Sequence, residues 1–195
     1  MLFPCEMPVN GDYAWINQGT ATIDATYGPP CLQEPTDYNA HNQRVRIMSA
    51  PSTPYTIDFL MLPFITGYSK SGFTWRESSS GKLIHWQVEG QAGYSSRYGN
   101  YTSMWKMTDA STYNSAYAGA LVWYMHHPSY VWFRAADDGV NREVSVSVDG
   151  INWVLIHQVG RTDFLTADQV GFVTYTNNVT NADDSGLTVL SWKEG

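Results

Sequence analysis

The chain is poor in charge and in cysteine. Of its 195 residues only 15% are charged, and 18 Asp and Glu against 11 Lys and Arg leave a net charge of -7. Phosphates are held mainly by Lys and Arg, so this balance speaks against nucleic acid as a partner and equally against an anionic membrane surface. Long apolar runs are missing too. The longest, Phe59 to Ile65, is broken by Pro63 and falls well short of the roughly 20 residues that span a bilayer, so no membrane insertion is expected. Met1 to Val9 lacks the basic start of a signal peptide and contains Pro4, Glu6 and Pro8, so the mature chain is expected to begin near Met1.

The two cysteines, Cys5 and Cys31, show no Cys-x-x-Cys or Cys/His spacing that would hold zinc. They read either as a disulfide pinning the N-terminal segment or as two unpaired small core residues. Other signatures are absent as well. There is no G-x-G-x-x-G or G-x-x-x-x-G-K for phosphates and no G-x-S-x-G elbow for a nucleophilic serine.

What is present is aromatic and apolar. The chain is 43% hydrophobic with 8 Trp and 13 Tyr, enough to build a large core in one domain spanning 1–195, with 1–43 as an N-terminal arm and loop. Period-two alternation recurs at Thr22–Asp24, Arg44–Ile47, Lys82–Val88 and Val144–Val148, each bounded by Gly, Pro, Asn or Asp. Helical periodicity is not sustained anywhere. The class is therefore all-β, with about twelve strands in two antiparallel sheets.

Asp149–Gly150 lies between two alternating segments, Arg142 to Val148 and Ile151 to Val159. It predicts a two-residue hairpin turn, because Asp-Gly supplies the positive φ that such turns need. Ser78 to Gly81 predicts a second hairpin between Phe73–Glu77 and Lys82–Glu89. Gly28 to Gln43 and Thr108 to Gly119 read as long surface loops, where binding is expected to concentrate.

The C-terminal third carries Val131–Trp132–Phe133–Arg134–Ala135–Ala136–Asp137–Asp138–Gly139, then Asn141–Arg142, then Ser147–Val148–Asp149–Gly150–Ile151–Asn152–Trp153. These segments resemble the concanavalin A-like (laminin-G-like) sandwich domains, in which a W-x-R-x-x-x-D-G strand precedes an S-x-D-G-x-x-W hairpin. The resemblance implies a jelly-roll sandwich whose next strand is Gln169 to Thr176 and whose closing strand, Leu187 to Trp192, returns beside the N-terminus. Gly160 to Phe172 is also similar to sandwich domains in virion proteins of tailed bacteriophages. That likeness implies a virion-surface component, assembled in the host cytoplasm, in contact with other virion proteins and forming a homo-oligomer or part of a larger assembly.

Glycosidases of this fold carry Glu-x-Asp-x-Glu on one strand, so that acid and nucleophile share a face. No such triplet occurs here, and Glu77, Glu89, Glu143 and Glu194 stand alone. No enzyme activity is expected, and no catalytic residue or cofactor is assigned. Asp137, Asp138 and Asn141 around Gly139 are oxygen ligands suited to calcium, but turn capping by Asp and Asn accounts for the same residues. His126–His127 point to opposite sides of an extended chain and read as loop histidines.

Aromatic rings in polar loops remain. Sugars stack their C–H faces on rings and need amide or carboxylate partners for their hydroxyls. Tyr94, Tyr98, Tyr101, Trp105, Tyr113, Tyr117 and Tyr124 lie in a Ser/Gly/Asn-rich region suited to this, whereas Trp86, Trp123, Trp132, Trp153 and Trp192 sit on alternating strands and read as core. Two functions stay open, a glycan-binding adhesion module and a structural decoration or tail protein without ligand, with a glycoside hydrolase as a minor alternative only if carboxylates distant in sequence converge in the fold.

Overall fold

The computed structural model describes residues 6–24, 26, 31–34, 42–64, 69–90, 100–117, 124–125, 130–176 and 185–195. After a short 3-10 turn at Asn10–Asp12 the strands are β1 (Ala14–Ile16), β2 (Thr22–Asp24), β3 (Cys31–Glu34), β4 (Arg44–Ser49), β5 (Tyr55–Phe64), β6 (Ser69–Arg76), β7 (Leu83–Glu89) and β8 (Asn100–Asp109). They continue as β9 (Thr112–Ala116), β10 (Tyr124–Met125), β11 (Val131–Asp137), β12 (Asn141–Ser147), β13 (Val154–Gly160), β14 (Gln169–Thr176) and β15 (Ser185–Glu194).

One sheet has eight strands, in the order β1-β4-β14-β6-β7-β8-β10 with β9 also on β8. The other has seven, in the order β13-β12-β11-β5-β15-β3-β2. Every pairing is antiparallel. This is the expected all-β sandwich.

Alternation explains how the layers join. On β5 the burial pattern switches at every residue, so Tyr55, Ile57, Phe59 and Met61 all face inward. Phe59 stacks on Phe73 of the opposite sheet at 5.4 Å and on Phe133 at 5.1 Å, and Phe172 meets Trp192 edge-on at 4.7 Å. Such pairs contribute about 0.5–1.5 kcal/mol each beyond simple burial. The closing strand β15 lies beside the N-terminal segment, with the Trp192 amide donating to the Glu6 carbonyl at 2.6 Å.

The Asp149–Gly150 hairpin is real, but its connection is longer than two residues. β12 ends at Ser147 and β13 starts at Val154. The cause is local hydrogen bonding: the Asp149 carboxylate accepts the amides of Ile151 at 2.8 Å and Asn152 at 2.9 Å, so those residues curl around it instead of joining the ladder. Gly150, at φ 71°, presses against the Trp132 ring. The Ser78–Gly81 hairpin forms as expected, with Gly81 at φ 79°.

The two expected loops are partly strands. Thr108 to Gly119 folds into the end of β8 and into β9, which pair with each other, and Gly28 to Gln43 contains β3. Their polar composition hid the ladder because neither strand alternates with apolar residues.

Candidate functional site

Strands β14, β6, β7 and β8 are consecutive neighbours, and each sends every second side chain to the sheet face away from the inter-sheet core. Register stacks these residues in rows. Tyr175, Lys70, Glu89 and Tyr101 are successive cross-strand partners; Val173, Gly72, Gln87 and Ser103 form the next row; Gly171, Thr74, His85 and Trp105 form the third.

This face is not a solvated surface. Lys70 is 1% exposed and Glu89 7%, while Thr74, His85, Gln87 and Tyr175 are fully buried. Val45, Ile47, Leu83, Met107 and Val173 surround them as a second apolar cluster, with Ile16 and Trp105 at its margin.

Buried polar groups must find partners, and here they find one another. The Tyr175 hydroxyl donates to Gln87 Oε1 at 3.0 Å, Gln87 Nε2 donates to Ser103 Oγ at 3.1 Å, and Ser103 Oγ donates to Glu89 Oε2 at 2.7 Å. Glu89 Oε1 pairs with Lys70 Nζ at 2.7 Å, and that ammonium lies 3.4 Å from the Trp105 ring centroid and 5.6 Å from that of Tyr175. Desolvation lowers Lys70 to about 8, and Glu89 opposes the shift. Burial likewise raises the Tyr175 hydroxyl well above its ordinary range.

His85 completes the third row. Its Nε2 is hydrogen-bonded to Gln43 Oε1 at 2.6 Å and its Nδ1 to Thr74 Oγ1 at 2.9 Å, so both ring nitrogens have partners. Burial pushes His85 down to about 3, so the ring is neutral.

Three of the expected ligand residues gather at one margin of this face. Tyr101 and Trp105 project from the same side of β8, both half-buried, and Tyr113 of β9 stands edge-on to Trp105 at 4.8 Å and is 40% exposed. Tyr124 pairs in register with Tyr101, though its side chain lies outside the described residues, as do Tyr94 and Tyr98 entirely. Tyr117 turns elsewhere, against His157 at 4.9 Å.

The remaining candidates fall into turns and walls. The Asp137 carboxylate is held by Arg161 Nε at 2.9 Å, and Asp138 Oδ1 accepts the amides of Val140 at 2.7 Å and Asn141 at 2.6 Å. Among the described residues no three His, Cys, Asp or Glu side chains cluster as a metal site. Cys5, the Cys31 side chain and His126–His127 lie outside the described residues. Of the tryptophans read as core, Trp86 and Trp192 are buried, but Trp132 and Trp153 are half-buried on the outside of the other sheet, where the Arg134 guanidinium covers Trp153 at 4.2 Å. Trp123 lies outside the described residues.

Sequence reasoning missed Lys70, Thr74, His85, Gln87, Glu89 and Tyr175. The available signal was His85-x-Gln87-x-Glu89 facing Tyr101-x-Ser103-x-Trp105 across one pairing, a polar stripe whose burial depends on what covers it.

No family model matches the chain, and no curated relative matches it. Solved structures do. A functionally unknown protein from Saccharomyces cerevisiae superposes with a TM-score of 0.62 at 14% identity, over 96% of this chain and 98% of that one. The GH43 BlXynB protein from Bacillus licheniformis gives 0.60 at 12% identity over 97% of this chain, which spans only 37% of that longer protein. Lectin I-B4 from Griffonia simplicifolia gives 0.53 at 11% identity, over 96% of this chain and 94% of the lectin. At these identities the likeness defines a fold class: a concanavalin A-like antiparallel sandwich. Among the described residues, no helix is long and apolar enough to cross a membrane.

Proposed function

We propose that this chain is a non-enzymatic glycan-binding module whose site is the margin of the eight-stranded face where Trp105 and Tyr113 meet. One observation carries the reading: an edge-to-face aromatic pair, 4.8 Å apart with Tyr113 40% exposed, backed by the Lys70–Glu89–Ser103 network. Rings offer stacking area to sugar C–H faces, and the network holds them in place without further ordering cost. The lectin-type sandwich supports the same ligand class by analogy of fold. The non-catalytic part is supported by Glu89 being the one carboxylate of the network, already engaged by Lys70 and Ser103, where glycoside hydrolysis uses two.

The test is sugar-competed binding of the labelled protein to a glycan panel and to extracted cell-surface polysaccharide. Tyr113→Ala, which empties little core, is expected to weaken binding at least about tenfold, or roughly 1.4 kcal/mol. Undiminished binding in that variant would remove the site, and release of reducing sugar would remove the non-enzymatic reading.

A second reading is a structural or contact protein without ligand. It is favoured by exposed apolar side chains at the β12–β13 edge, with Val148 81%, Ile151 57%, Val154 54% and Leu155 50% exposed. Self-association that Val148→Ser and Ile151→Ser abolish, with no glycan bound, would decide for it. The virion setting is supported by the likeness of Gly160–Phe172 alone, and detection of the chain in purified particles tests it.

A further inference from the structure

On the core side of the sandwich, the inner face of β12 and β13 carries buried hydrogen-bond donors that lack an acceptor. Arg142 and Val144 share one side of β12, and His157 of β13 lies across from Val144, so Arg142 and His157 are diagonal neighbours on that face. Tyr117 of the other sheet closes over them, its ring 4.9 Å from that of His157 and its amide tied to the Met104 carbonyl at 3.0 Å. The Lys106 ammonium sits 4.0 Å from the Tyr117 ring centroid, and the Arg142 guanidinium lies 5.9 Å from that of Trp75.

Arg142 is 1% exposed, yet its guanidinium makes one hydrogen bond, from Nη2 to the Asp163 carbonyl at 2.5 Å. Arg142 Nε and Nη1 and His157 Nε2 are buried without a hydrogen-bond partner, and the buried Tyr117 hydroxyl has the Asp163 carboxylate as its nearby acceptor. Asp137, the cross-strand partner of Arg142, is held by Arg161 instead. A guanidinium is always charged and donates only, so burying it without a counter-charge is strongly unfavourable. Lys106 adds a second positive charge, and the carboxylates that act on the guanidinium, Asp137 and Asp163, make no direct hydrogen bond to it: Asp137 is held by Arg161 and Asp163 offers only its backbone carbonyl.

We infer that Arg142, Tyr117 and His157 enclose a binding site for one small anion. The complementary occupant must accept several hydrogen bonds at once and carry negative charge. A water molecule accepts two at most and brings no charge. The donor atoms are closed off from solvent, so the proposed occupant is a small anion, and chloride and formate are the probes. The site lies between the sheets, on the inner face of β8 and β12, whereas Trp105 lies on the outer face of β8, so it stands whether or not the glycan reading holds. The rival is internal: burial first, and then a hydrogen bond to the exposed Asp163 carboxylate, raise the Tyr117 hydroxyl, so that carboxylate is within reach to serve as counter-charge.

The experiment is thermal melting of the whole chain at constant ionic strength, with chloride or formate replacing gluconate, which is too bulky for the site. The melting temperature is expected to rise by about 3–6 °C with chloride or formate, the size that binding to the folded state alone produces. Tyr117→Phe removes one donor and no packing, and is expected to flatten that rise while still folding. The same rise in Tyr117→Phe as in the wild type would mark a general salt effect and overturn the site. A wild type indifferent to the anion, together with a large drop in Asp163→Asn, would overturn it in favour of the internal carboxylate.

Discussion

The Lys70 ammonium lies 3.4 Å from the centre of the Trp105 ring and is simultaneously 2.7 Å from Glu89 Oε1, with the lysine 1% exposed. One buried charge thus fixes both an aromatic ring and a carboxylate. Removing it strands the other. Lys70→Met is expected to cost about 3–5 kcal/mol in denaturant unfolding, because Glu89 would remain buried and unpaired. Adding Glu89→Gln to that variant should recover a large part of the loss, since the amide carries no charge to desolvate. Equal stability of the single and double variants would show that the ion pair is not what Lys70 contributes.

That relationship also marks the limit of what could be read from the chain. The fold was legible because segments such as Arg44–Ile47, Lys82–Val88 and Val144–Val148 alternate, and because Asp149–Gly150 and Ser78–Gly81 announce their hairpins. Trp105 and Tyr113 were singled out as candidate ring contacts by their polar setting, and the fold brings the two rings together. Lys70, His85 and Glu89 were not, because a polar residue at every second position of a strand predicts a wet face. Here a second apolar cluster covers that face, and burial of this kind depends on contacts distant in sequence, such as Gln43 with His85. The same failing placed Thr112–Ala116 in a loop, since a strand lying on another strand needs no apolar stripe of its own.

Gly72 is a second consequence of that close packing. A Cβ at this position would lie 2.0 Å from the Trp86 carbonyl oxygen, a backbone atom of the neighbouring strand that has nowhere to move. Gly72→Ala is therefore expected to prevent folding, read as loss of soluble protein and of the cooperative melt. Gly150→Ala is the graded comparison: it meets the Trp132 ring at 3.0 Å and must hold a positive φ of 71°, which together should cost about 1–3 kcal/mol and leave a folded protein. A normally folded Gly72→Ala variant would mean the β6–β7 spacing is wrong.

Calcium at the β11–β12 turn has a clear competitor. Both Asp137 oxygens lie 2.9 Å from Arg161 Nε, and Asp138 Oδ1 already accepts two backbone amides, so protein donors and a resident positive charge occupy the positions an ion would need. The melting temperature is expected to agree within about 1 °C between excess calcium and a chelator. A calcium-dependent rise that disappears in Asp138→Asn would place an ion there.

Acid stability follows from His85. Its ring is buried and neutral in the folded protein, lowered to about 3, whereas in the unfolded chain it titrates near the ordinary histidine value of 6.5. Between those values the unfolded state binds a proton that the folded state refuses. The contribution is fully present above pH 6.5 and is lost as the pH falls toward 3, at up to about 1.4 kcal/mol per pH unit. His157, lowered in the same direction mainly by its burial, adds to the same slope. The clean window is between pH 6.5 and about 5, above the range in which ordinary carboxylates titrate. Denaturant unfolding across that window should show stability falling with pH in the wild type, less steeply in His85→Gln, and nearly level once His157→Gln is added. A wild-type stability level through this window would mean that His85 can take up a proton in place, and that the Gln43 and Thr74 contacts do not hold it neutral.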